Sequence, residues 1–340
     1  MRTQEIHLCV IPGDGVGQEV IPAAVAVLQA VMPQVQLTFA EAGWETFQRI
    51  GDALPEETLA AARRAGVVLF GAVASPSHPV PGYRSPIVAL RRELDVFANL
   101  RPSRRWPLHD AHRDIDLLIV RENTECLYVG RERREGDTAI AERIISRRGS
   151  ERVARVAFEL AAQRRRHLTI VHKANILRVS DGLWREACLA VAREFPHVQA
   201  DEGLVDSIAY HLVRQPGRYD VLLTPNLYGD ILSDLAAALA GGLGIAPSLS
   251  LGEDCAIAEP VHGAAPDIAG QGIANPLGAI LSVALLLRYV WQRGDLADAI
   301  ERAVEHVLAR GWFTPDIAPP AQKTVGTREM EQAIIAALGV

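Results

Sequence analysis

The sequence predicts an α/β fold, in which the strands of a sheet alternate with helices. Short apolar runs typical of buried strands recur along the 340 residues, and helical segments lie between them. The first of these runs leads directly into a glycine-rich turn and a helix. Because 49% of the residues are hydrophobic, the chain can bury the cores of two domains or of one large α/β domain.

The predicted elements follow in a regular order. Strands are expected over 6–11, 35–42, 67–71, 116–120, 168–172 and 221–224. Helices are expected from the glycine-rich turn to about residue 32, over 55–65, from 87 to 94, at the Ala/Leu-rich segment headed by 228–234, and towards the end of the chain. The Pro/Gly-rich segments 75–85 and 259–276 are predicted to be loops.

The turn at 12–17 looks at first like a dinucleotide-binding fingerprint. Its glycines have the spacing G-x-G-x-G, whereas the fingerprint needs G-x-G-x-x-G and an acidic residue at the end of the second strand. The segment therefore predicts a tight strand-to-helix turn that lines a cleft, and not a Rossmann nucleotide site.

Charge and cysteine usage exclude several classes of protein. A net charge of -6 argues against nucleic acid as the main partner. Cys9, Cys126, Cys188 and Cys255 lie far apart and form no C-x-x-C pair, which suits a reducing cytoplasm and gives no zinc signature. The N-terminal residues show no signal-peptide pattern, and the apolar stretch 276–287 is too short to span a bilayer. These features predict a cytoplasmic protein without a membrane partner.

Asp230 and Asp234 are four residues apart, so a helix places both carboxylates on one face. The macrodipole favours acids at a helix N-terminus, which is one explanation; a cation between two repelling carboxylates is the other. Asp206 is either an acid at the N-terminus of another helix or a third ligand of the same metal ion. Three carboxylates with water and substrate oxygens suit Mg²⁺ or Mn²⁺.

Arg91, Arg101 and Arg121 each follow an apolar stretch. An arginine beside a buried element needs an anionic partner, which is either an internal carboxylate or a ligand. Three such arginines together suggest a clamp for a polycarboxylate, because guanidinium pairs bidentately with carboxylate.

Two further residues carry groups suited to proton transfer. Lys173 follows the apolar run 168–171 and is either a base with a lowered pKa or a side chain that reaches solvent. Tyr128 is either a proton donor or a core tyrosine with a bonded hydroxyl.

Small residues dominate the loop 259–276, which lets a ligand approach the backbone, whose N–H groups hold phosphates. Asp267 in this loop is able to bond a ribose diol and would repel a 2′-phosphate. The alternative is a plain surface loop.

These motifs, from 11–15 through 275–276, resemble the β-decarboxylating dehydrogenases: the isopropylmalate, isocitrate, homoisocitrate and tartrate/malate enzymes. The resemblance implies their two-domain fold, which is not a Rossmann fold. It implies a discontinuous large domain over 1–98 and 246–340 on the cofactor side. A small domain over 99–245 would carry the dimer interface, the metal site and the catalytic residues.

The resemblance also implies roles for individual residues. Tyr128 would be the acid and the partner subunit's Lys173 the base. Asp230 and Asp234 would bind Mg²⁺ or Mn²⁺ with Asp206 of the partner subunit, so that a homo-oligomer shares each active site. The substrate would contact Ser85, Arg91, Arg101, Arg121, Arg84, Val88 and Asn175, the last of them near the nicotinamide. NAD would contact His262, Gly263, Ala265, Asp267, Ile268 and Asn275.

Substrate choice is expected to lie in 82–91. Segment 85–94 resembles fungal-type homoisocitrate enzymes, and Arg84 with Ser85 would serve a distal carboxylate. Some bacterial homoisocitrate enzymes have arginine where Val88 stands, and Ile87 with Val88 would also line a pocket for an alkyl group.

The sequence thus predicts NAD-dependent conversion of homoisocitrate to 2-oxoadipate, in lysine biosynthesis through aminoadipate. Isocitrate is the second candidate, then isopropylmalate or tartrate/malate. A non-catalytic regulatory subunit is the rival class, but such subunits commonly lose the acids that are present here.

Overall fold

The computed structural model describes residues 6–78 and 80–339. Its strands are β1 (His7–Gly13), β2 (Gln36–Phe39), β3 (Val67–Ala72), β4 (Ala98–Arg104), β5 (Asp116–Glu122), β6 (Glu132–Glu135), β7 (Thr138–Ala141), β8 (His167–His172), β9 (Gln199–Leu204), β10 (Val221–Thr224), β11 (Pro247–Leu251) and β12 (Ala256–Pro260). Its helices are α1 (Gly17–Val31), α2 (Trp44–Ile50), α3 (Glu56–Ala65), α4 (Pro86–Glu93), α5 (Arg147–Ala162), α6 (Ser180–Ala192), α7 (Val205–Arg214), α8 (Asn226–Ala240), α9 (Leu277–Leu285), α10 (Gly294–Ala309) and α11 (Thr327–Leu338).

The chain divides into two units. Unit 1 contains the described parts of 1–95, 106–111 and 241–340, and unit 2 contains 96–105 and 112–240. The boundaries lie a few residues from the predicted ones at 98 and 246, and a short segment at 106–111 belongs to unit 1. The roles assigned to the two domains from the sequence stay predictions.

In unit 1 the strand order is β2-β1-β3-β12-β11. β1 is parallel to β2 and β3, β12 is parallel to β3, and β11 is antiparallel to β12. Helix α9 is buried along all nine of its residues and packs against α1, which explains its uniform apolarity. Within 6–78 and 80–339, no helix is both long and apolar enough to cross a membrane.

In unit 2 the strand order is β4-β5-β10-β8-β9. β4 is antiparallel to β5, and the other neighbouring pairs are parallel. The carboxyl ends of β5, β8 and β10 therefore meet at one edge, where ligand sites of α/β sheets are commonly built. Helix α8 packs on β5 and β4 and brings its polar first turns to that edge.

The predicted alternation of strands and helices is confirmed, with corrections at the ends of elements. The strand predicted over 35–42 is limited to Gln36–Phe39, and the strand predicted over 116–120 continues to Glu122. The loop predicted from residue 259 begins two residues later, because Glu259 and Pro260 end β12. The sequence did not predict β4, β9, β11 or β12, whose residues become strand-like only through pairing with neighbours.

The turn at 12–17 is the tight strand-to-helix connection that its glycines predict. Gly13 has a φ of +74°, and a Cβ atom there would lie 2.0 Å from the carbonyl oxygen of Ala72. Gly15 has a φ of +56°, and its Cβ would lie 2.2 Å from the carbonyl oxygen of Ala264. The glycines thus allow close approach of protein backbone.

Asp14, in the same turn, is a buried carboxylate that ties three segments of unit 1 together. It accepts hydrogen bonds from the backbone N–H groups of Trp44 (2.7 Å) and Glu45 (3.0 Å) at the start of α2. It also accepts one from Ala74 (2.9 Å), just after β3. The acid therefore satisfies free donors of a helix N-terminus and fixes the loop after β3.

We expect Asp14→Ala to lower the free energy of unfolding by about 3 kcal/mol, because three part-buried N–H groups lose a charged acceptor that is itself buried. Urea unfolding would measure the change. Asp52→Ala is a matched control, since the exposed Asp52 accepts the N–H of Leu54 (3.0 Å) and no second side-chain hydrogen bond within residues 6–78 and 80–339. The control should lose about 1 kcal/mol or less. Equal losses in the two variants would contradict the bridging role of Asp14.

Candidate active site

Two aspartates of α8 lie beside two buried arginines at the strand-end edge of unit 2. Arg121 forms a close ion pair with Asp230. Nη1 of Arg101 lies 3.3 Å from Asp234 and 3.5 Å from Asp230. The Arg121 side chain is 1% exposed and that of Arg101 is 9% exposed, so both guanidinium charges need these anions. The spacing of four residues does place the two acids on one face.

Neighbouring polar side chains fix the direction of each arginine. Arg121 donates from Nε (2.9 Å) and Nη2 (2.7 Å) to Oδ1 of Asn226. Arg101 donates from Nε to Asn99 (2.9 Å) and from Nη1 to Ser233 (2.8 Å). Sequence reasoning missed these residues, although spacing gives a signal for two of them. Asn226 is four residues before Asp230 on the helix, and Asn99 is two residues before Arg101 on the strand.

Gly229 provides the space for Arg121 on α8. A Cβ atom at this position would lie 2.3 Å from Oγ1 of Thr224 and 2.7 Å from Cγ of Arg121. The arginine stem therefore crosses the helix where the helix has no side chain. Any larger residue at Gly229 would displace the guanidinium group from Asp230.

Tyr128 joins this cluster from a short 3₁₀ helix, Leu127–Val129. Its hydroxyl donates a close hydrogen bond to Asp230, and its ring centroid lies 5.0 Å from Cζ of Arg121. Burial, followed by the hydrogen bond to Asp230, raises the pKa of Tyr128 above its usual value of 10.0. The hydroxyl is therefore protonated at neutral pH, as a proton donor must be.

Burial and the neighbouring carboxylate change the acidity of the α8 acid Asp234. Burial raises the pKa of Asp234, Arg101 opposes the rise, and the charge of Asp230 adds to it. Two carboxylates with this mutual repulsion offer only oxygen atoms, which is the donor set that Mg²⁺ and Mn²⁺ prefer. The residues present therefore fit a divalent cation.

Lys173 and Asp206 form an ion pair with each other in unit 2. The hydrogen bond from the Lys173 ammonium group holds the pKa of the Asp206 carboxyl below its usual value. The Asp206 side chain is 64% exposed, and Asn175 is exposed as well. In the described part of the chain, no group of three or more His, Cys, Asp or Glu residues is placed to hold a metal. The predicted role of Asp206 and Lys173 in a partner subunit's site stays a prediction.

The third predicted arginine has its own internal partner in unit 1. Arg91 donates from Nη2 (2.6 Å) and Nε (3.2 Å) to Oε1 of Glu259, and both side chains are nearly buried. The internal ion pair was the alternative to a ligand contact for this arginine. Ser85 precedes α4, Val88 is half-buried within it, and Arg84 is exposed beside a cavity of about 270 Å³.

The residues predicted to bind NAD gather around a cavity of about 390 Å³ in unit 1. Of these, His262, Gly263, Ala265, Ile268 and Asn275 line it; Asp267 is exposed and next to Ile268 in the chain. Asp316 also lines the cavity and accepts a hydrogen bond from Nδ2 of Asn275 (3.1 Å). The sequence carries no motif that would have indicated Asp316.

His262 presents an unpaired atom in this region. Its Nδ1 lies 3.0 Å from the carbonyl oxygen of Gly263, and its Nε2 is buried with no hydrogen-bond partner in the described part of the chain. Burial lowers the pKa of His262 below its ordinary value of 6.5. A neutral imidazole with a free ring nitrogen, surrounded by small and apolar residues, fits a ligand such as a dinucleotide.

Comparisons with known proteins agree with this fold. A family model described as isocitrate/isopropylmalate dehydrogenase matches residues 7–334. The isocitrate/homoisocitrate dehydrogenase of Thermus thermophilus is 49% identical over 96% of this chain and 98% of its own. The 3-isopropylmalate dehydrogenase of Archaeoglobus fulgidus is 46% identical over 91% of this chain and 94% of its own. The solved structure of isocitrate dehydrogenase from Methylococcus capsulatus is 41% identical in sequence and has a TM-score of 0.93. The match covers 98% of this chain and 99% of that one.

The fold and the match along almost the whole chain define a dehydrogenase that oxidatively decarboxylates a small hydroxy acid. The chain belongs to the isocitrate/isopropylmalate dehydrogenase family. The resemblance to β-decarboxylating dehydrogenases and the predicted fold are thereby confirmed.

The lowered pKa of His262 gives a prediction for acid stability. The unfolded chain takes up this proton first as the pH falls, so the stability contributed by neutral His262 is complete above an ordinary histidine pKa of 6.5 and is lost below it. We expect His262→Asn to reduce the fall in Tm between about pH 7.5 and about pH 5.5. His306→Asn, at an exposed position of α10, is the control. If Tm falls equally with pH in the two variants, His262 makes no such contribution to acid stability.

Proposed function

We propose that the protein is an NAD-dependent dehydrogenase that requires Mg²⁺ or Mn²⁺ and converts homoisocitrate to 2-oxoadipate and CO₂. The observation that carries the proposal is the cluster of Asp230 and Asp234 with Arg101, Arg121 and Tyr128. It combines an oxygen-only cation site, two fixed positive charges for carboxylates and a protonated hydroxyl. A non-catalytic subunit has no need for this combination.

Asp230 and Asp234 would hold the cation with Asp206 of the partner subunit, and the loop with His262 and Asp267 would hold NAD. When bound, the cation lowers the pKa of the substrate hydroxyl and NAD⁺ accepts hydride. Asp267 supports NAD over NADP, because its charge would repel a 2′-phosphate.

The chain's own residues then bind the substrate and move protons. Arg101 and Arg121 bind its carboxylates and counter the negative charge that develops as CO₂ leaves. The partner subunit's Lys173 takes the hydroxyl proton during oxidation. Tyr128 donates a proton to the carbon from which CO₂ has left.

The sharing of the site between subunits is supported by exposed apolar side chains on unit 2. They lie close in the chain to Lys173, Asp206 and Asp230, on the segments that carry these groups. They are Ile176 (68% exposed), Val179 (87%), Tyr210 (62%), Val213 (51%) and Ile231 (59%). A second copy of the chain would cover apolar surface that is costly to expose to water.

Two observations keep other substrates as alternatives. Exposed Arg84 near Ser85 favours a substrate with a distal carboxylate, as in homoisocitrate or isocitrate. The half-buried Ile87 and Val88 on α4 would suit an alkyl group such as that of isopropylmalate. The similar proteins quoted above carry these same substrates in their names: isocitrate and homoisocitrate in one, 3-isopropylmalate in another and isocitrate in the third.

A substrate panel tests the proposal directly. We expect the purified chain with Mg²⁺ and NAD⁺ to form NADH with homoisocitrate at a higher kcat/KM than with isocitrate, isopropylmalate, malate or tartrate. NADP⁺ should give a lower kcat/KM than NAD⁺. A clear preference for isopropylmalate would overturn the substrate assignment, and the absence of any rate would overturn the enzymatic function.

The double variant Asp230→Asn with Asp234→Asn tests the acid pair. It removes two anionic ligands, so we expect kcat per folded subunit to fall by about 1,000-fold or more. It also leaves the buried Arg101 and Arg121 without these counter-ions, so we expect a lower Tm. Circular dichroism and steady-state NADH formation would measure fold and activity. Asp137→Asn, which changes a fully exposed acid of unit 2, should leave kcat unchanged. Undiminished turnover in the double variant would contradict a cation site at these residues.

A further inference from the structure

A completely buried acid, Asp181, lies behind the Lys173 segment in unit 2. Asp181 is in the first turn of α6 and accepts the backbone N–H of Lys173 at 2.6 Å. It also accepts the hydroxyl of Tyr228 at 3.1 Å and forms a close ion pair with Arg143. Both oxygens of its carboxylate thus accept donors, which come from three other segments of the chain.

Arg143 extends this buried group to further segments. It donates from Nε to Sγ of Cys126 (3.2 Å) and from Nη1 to Oγ of Ser180 (3.2 Å). Its Cζ lies 5.0 Å from the ring centroid of Tyr228, and its Nη2 has no hydrogen-bond acceptor in the described part of the chain. The ring face therefore provides part of the electrostatic compensation for this nitrogen. Cys126 has a φ of +67°, a strained conformation that persists only when its surroundings hold it.

Each partner of the ion pair is next to a group of the proposed reaction. Lys173 itself is the proposed base, and its backbone is what Asp181 holds. Cys126 is two residues before Tyr128, the proposed acid, and Tyr228 is two residues before Asp230. One buried pair therefore contacts the segments that carry the acid and a cation ligand of its own subunit's site, and also the segment whose Lys173 is the base for the partner subunit's site.

We propose that Asp181, with Arg143 as its counter-ion, is a positioning residue that fixes the Tyr128 and Asp230 segments of its own subunit's site together with the Lys173 segment, which completes the site of the partner subunit. The proposal rests on the proposed function, because it is the assigned roles of Lys173, Tyr128 and Asp230 that give the shared anchor a consequence. Asp181 touches none of the reacting atoms. It acts through the backbone of Lys173 and through the first turn of α8.

Removing one member of a buried ion pair also destabilises a fold, so a structural effect must be separated from positioning. Unit 2 offers a matched control in Asp220, which is equally buried. Asp220 accepts Nε of Arg164 (2.7 Å) and the backbone N–H of Arg165 (2.8 Å). It precedes β10, at the opposite end of that strand from Asn226. Asp220→Asn therefore breaks a similar pair away from the active-site edge.

The experiment compares Asp181→Asn, Asp220→Asn and the unmodified chain in Tm, kcat and the KM for NAD⁺. We expect the Tm of both variants to be lowered by similar amounts. Asp181→Asn alone should lower kcat per folded subunit by about 10- to 100-fold, because displaced catalytic groups lose near-attack geometry. Its KM for NAD⁺ should stay within about twofold, because the cofactor residues are in unit 1. Asp181→Glu, which keeps the charge, should restore part of the lost kcat.

The outcomes separate this proposal from the proposed function. If the unmodified chain forms no NADH with any substrate of the panel, the function fails and the positioning role falls with it. If the unmodified chain is active and Asp181→Asn keeps kcat within about threefold, like Asp220→Asn, only the positioning role is overturned. If Asp181→Asn does not fold, Tyr228→Phe removes one hydroxyl and no charge. That variant should lower kcat by about threefold with Tm retained, and an unchanged kcat would overturn the proposal.

Discussion

The pairing of two buried arginines with two helix carboxylates is the constraint on which unit 2 depends. Arg101 and Arg121 are charged and almost without solvent, so each needs an anion within contact distance. Asp230 and Asp234 supply those anions from one face of α8. The same four charges that satisfy each other in the folded chain are the ones that we propose bind a cation and a polycarboxylate substrate.

Much of the surrounding structure serves to hold those charges at fixed distances. Asn99, Asn226 and Ser233 orient the guanidinium groups, and Gly229 gives Arg121 its path across the helix. Buried polar groups fixed in this way need little reorganisation when charge develops on a substrate, which is how preorganised sites gain catalytic power. The ion pair of Asp181 extends this arrangement from α8 to the segment that carries Lys173.

Unit 1 uses a different kind of chemistry for its candidate ligand. Its cavity is lined mostly by small and apolar residues, with Asn275 and Asp316 among them. The Nε2 atom of His262, which has no hydrogen-bond partner among the described residues, is a further polar group there. Here Arg91 pairs with Glu259, although sequence reasoning placed it with the other two arginines in a substrate clamp. An apolar stretch before an arginine indicates that its charge needs a partner, but it does not say which acid is within reach.

The sequence by itself determined the α/β alternation, the tight glycine turn and the shared face of Asp230 and Asp234, since these follow from local spacing and steric rules. The resemblance of its motifs to known enzymes indicated the family. Only the tertiary structure decided the partners of the buried charges: Arg121 with Asp230, Arg91 with Glu259, Lys173 with Asp206, and Arg143 with Asp181. The same is true of Asp316 beside the cavity lined by His262 and Asn275, and of the strands β11 and β12. The physical reason is that these contacts join residues remote in the chain, and their partners are chosen by packing, which no short stretch of sequence encodes.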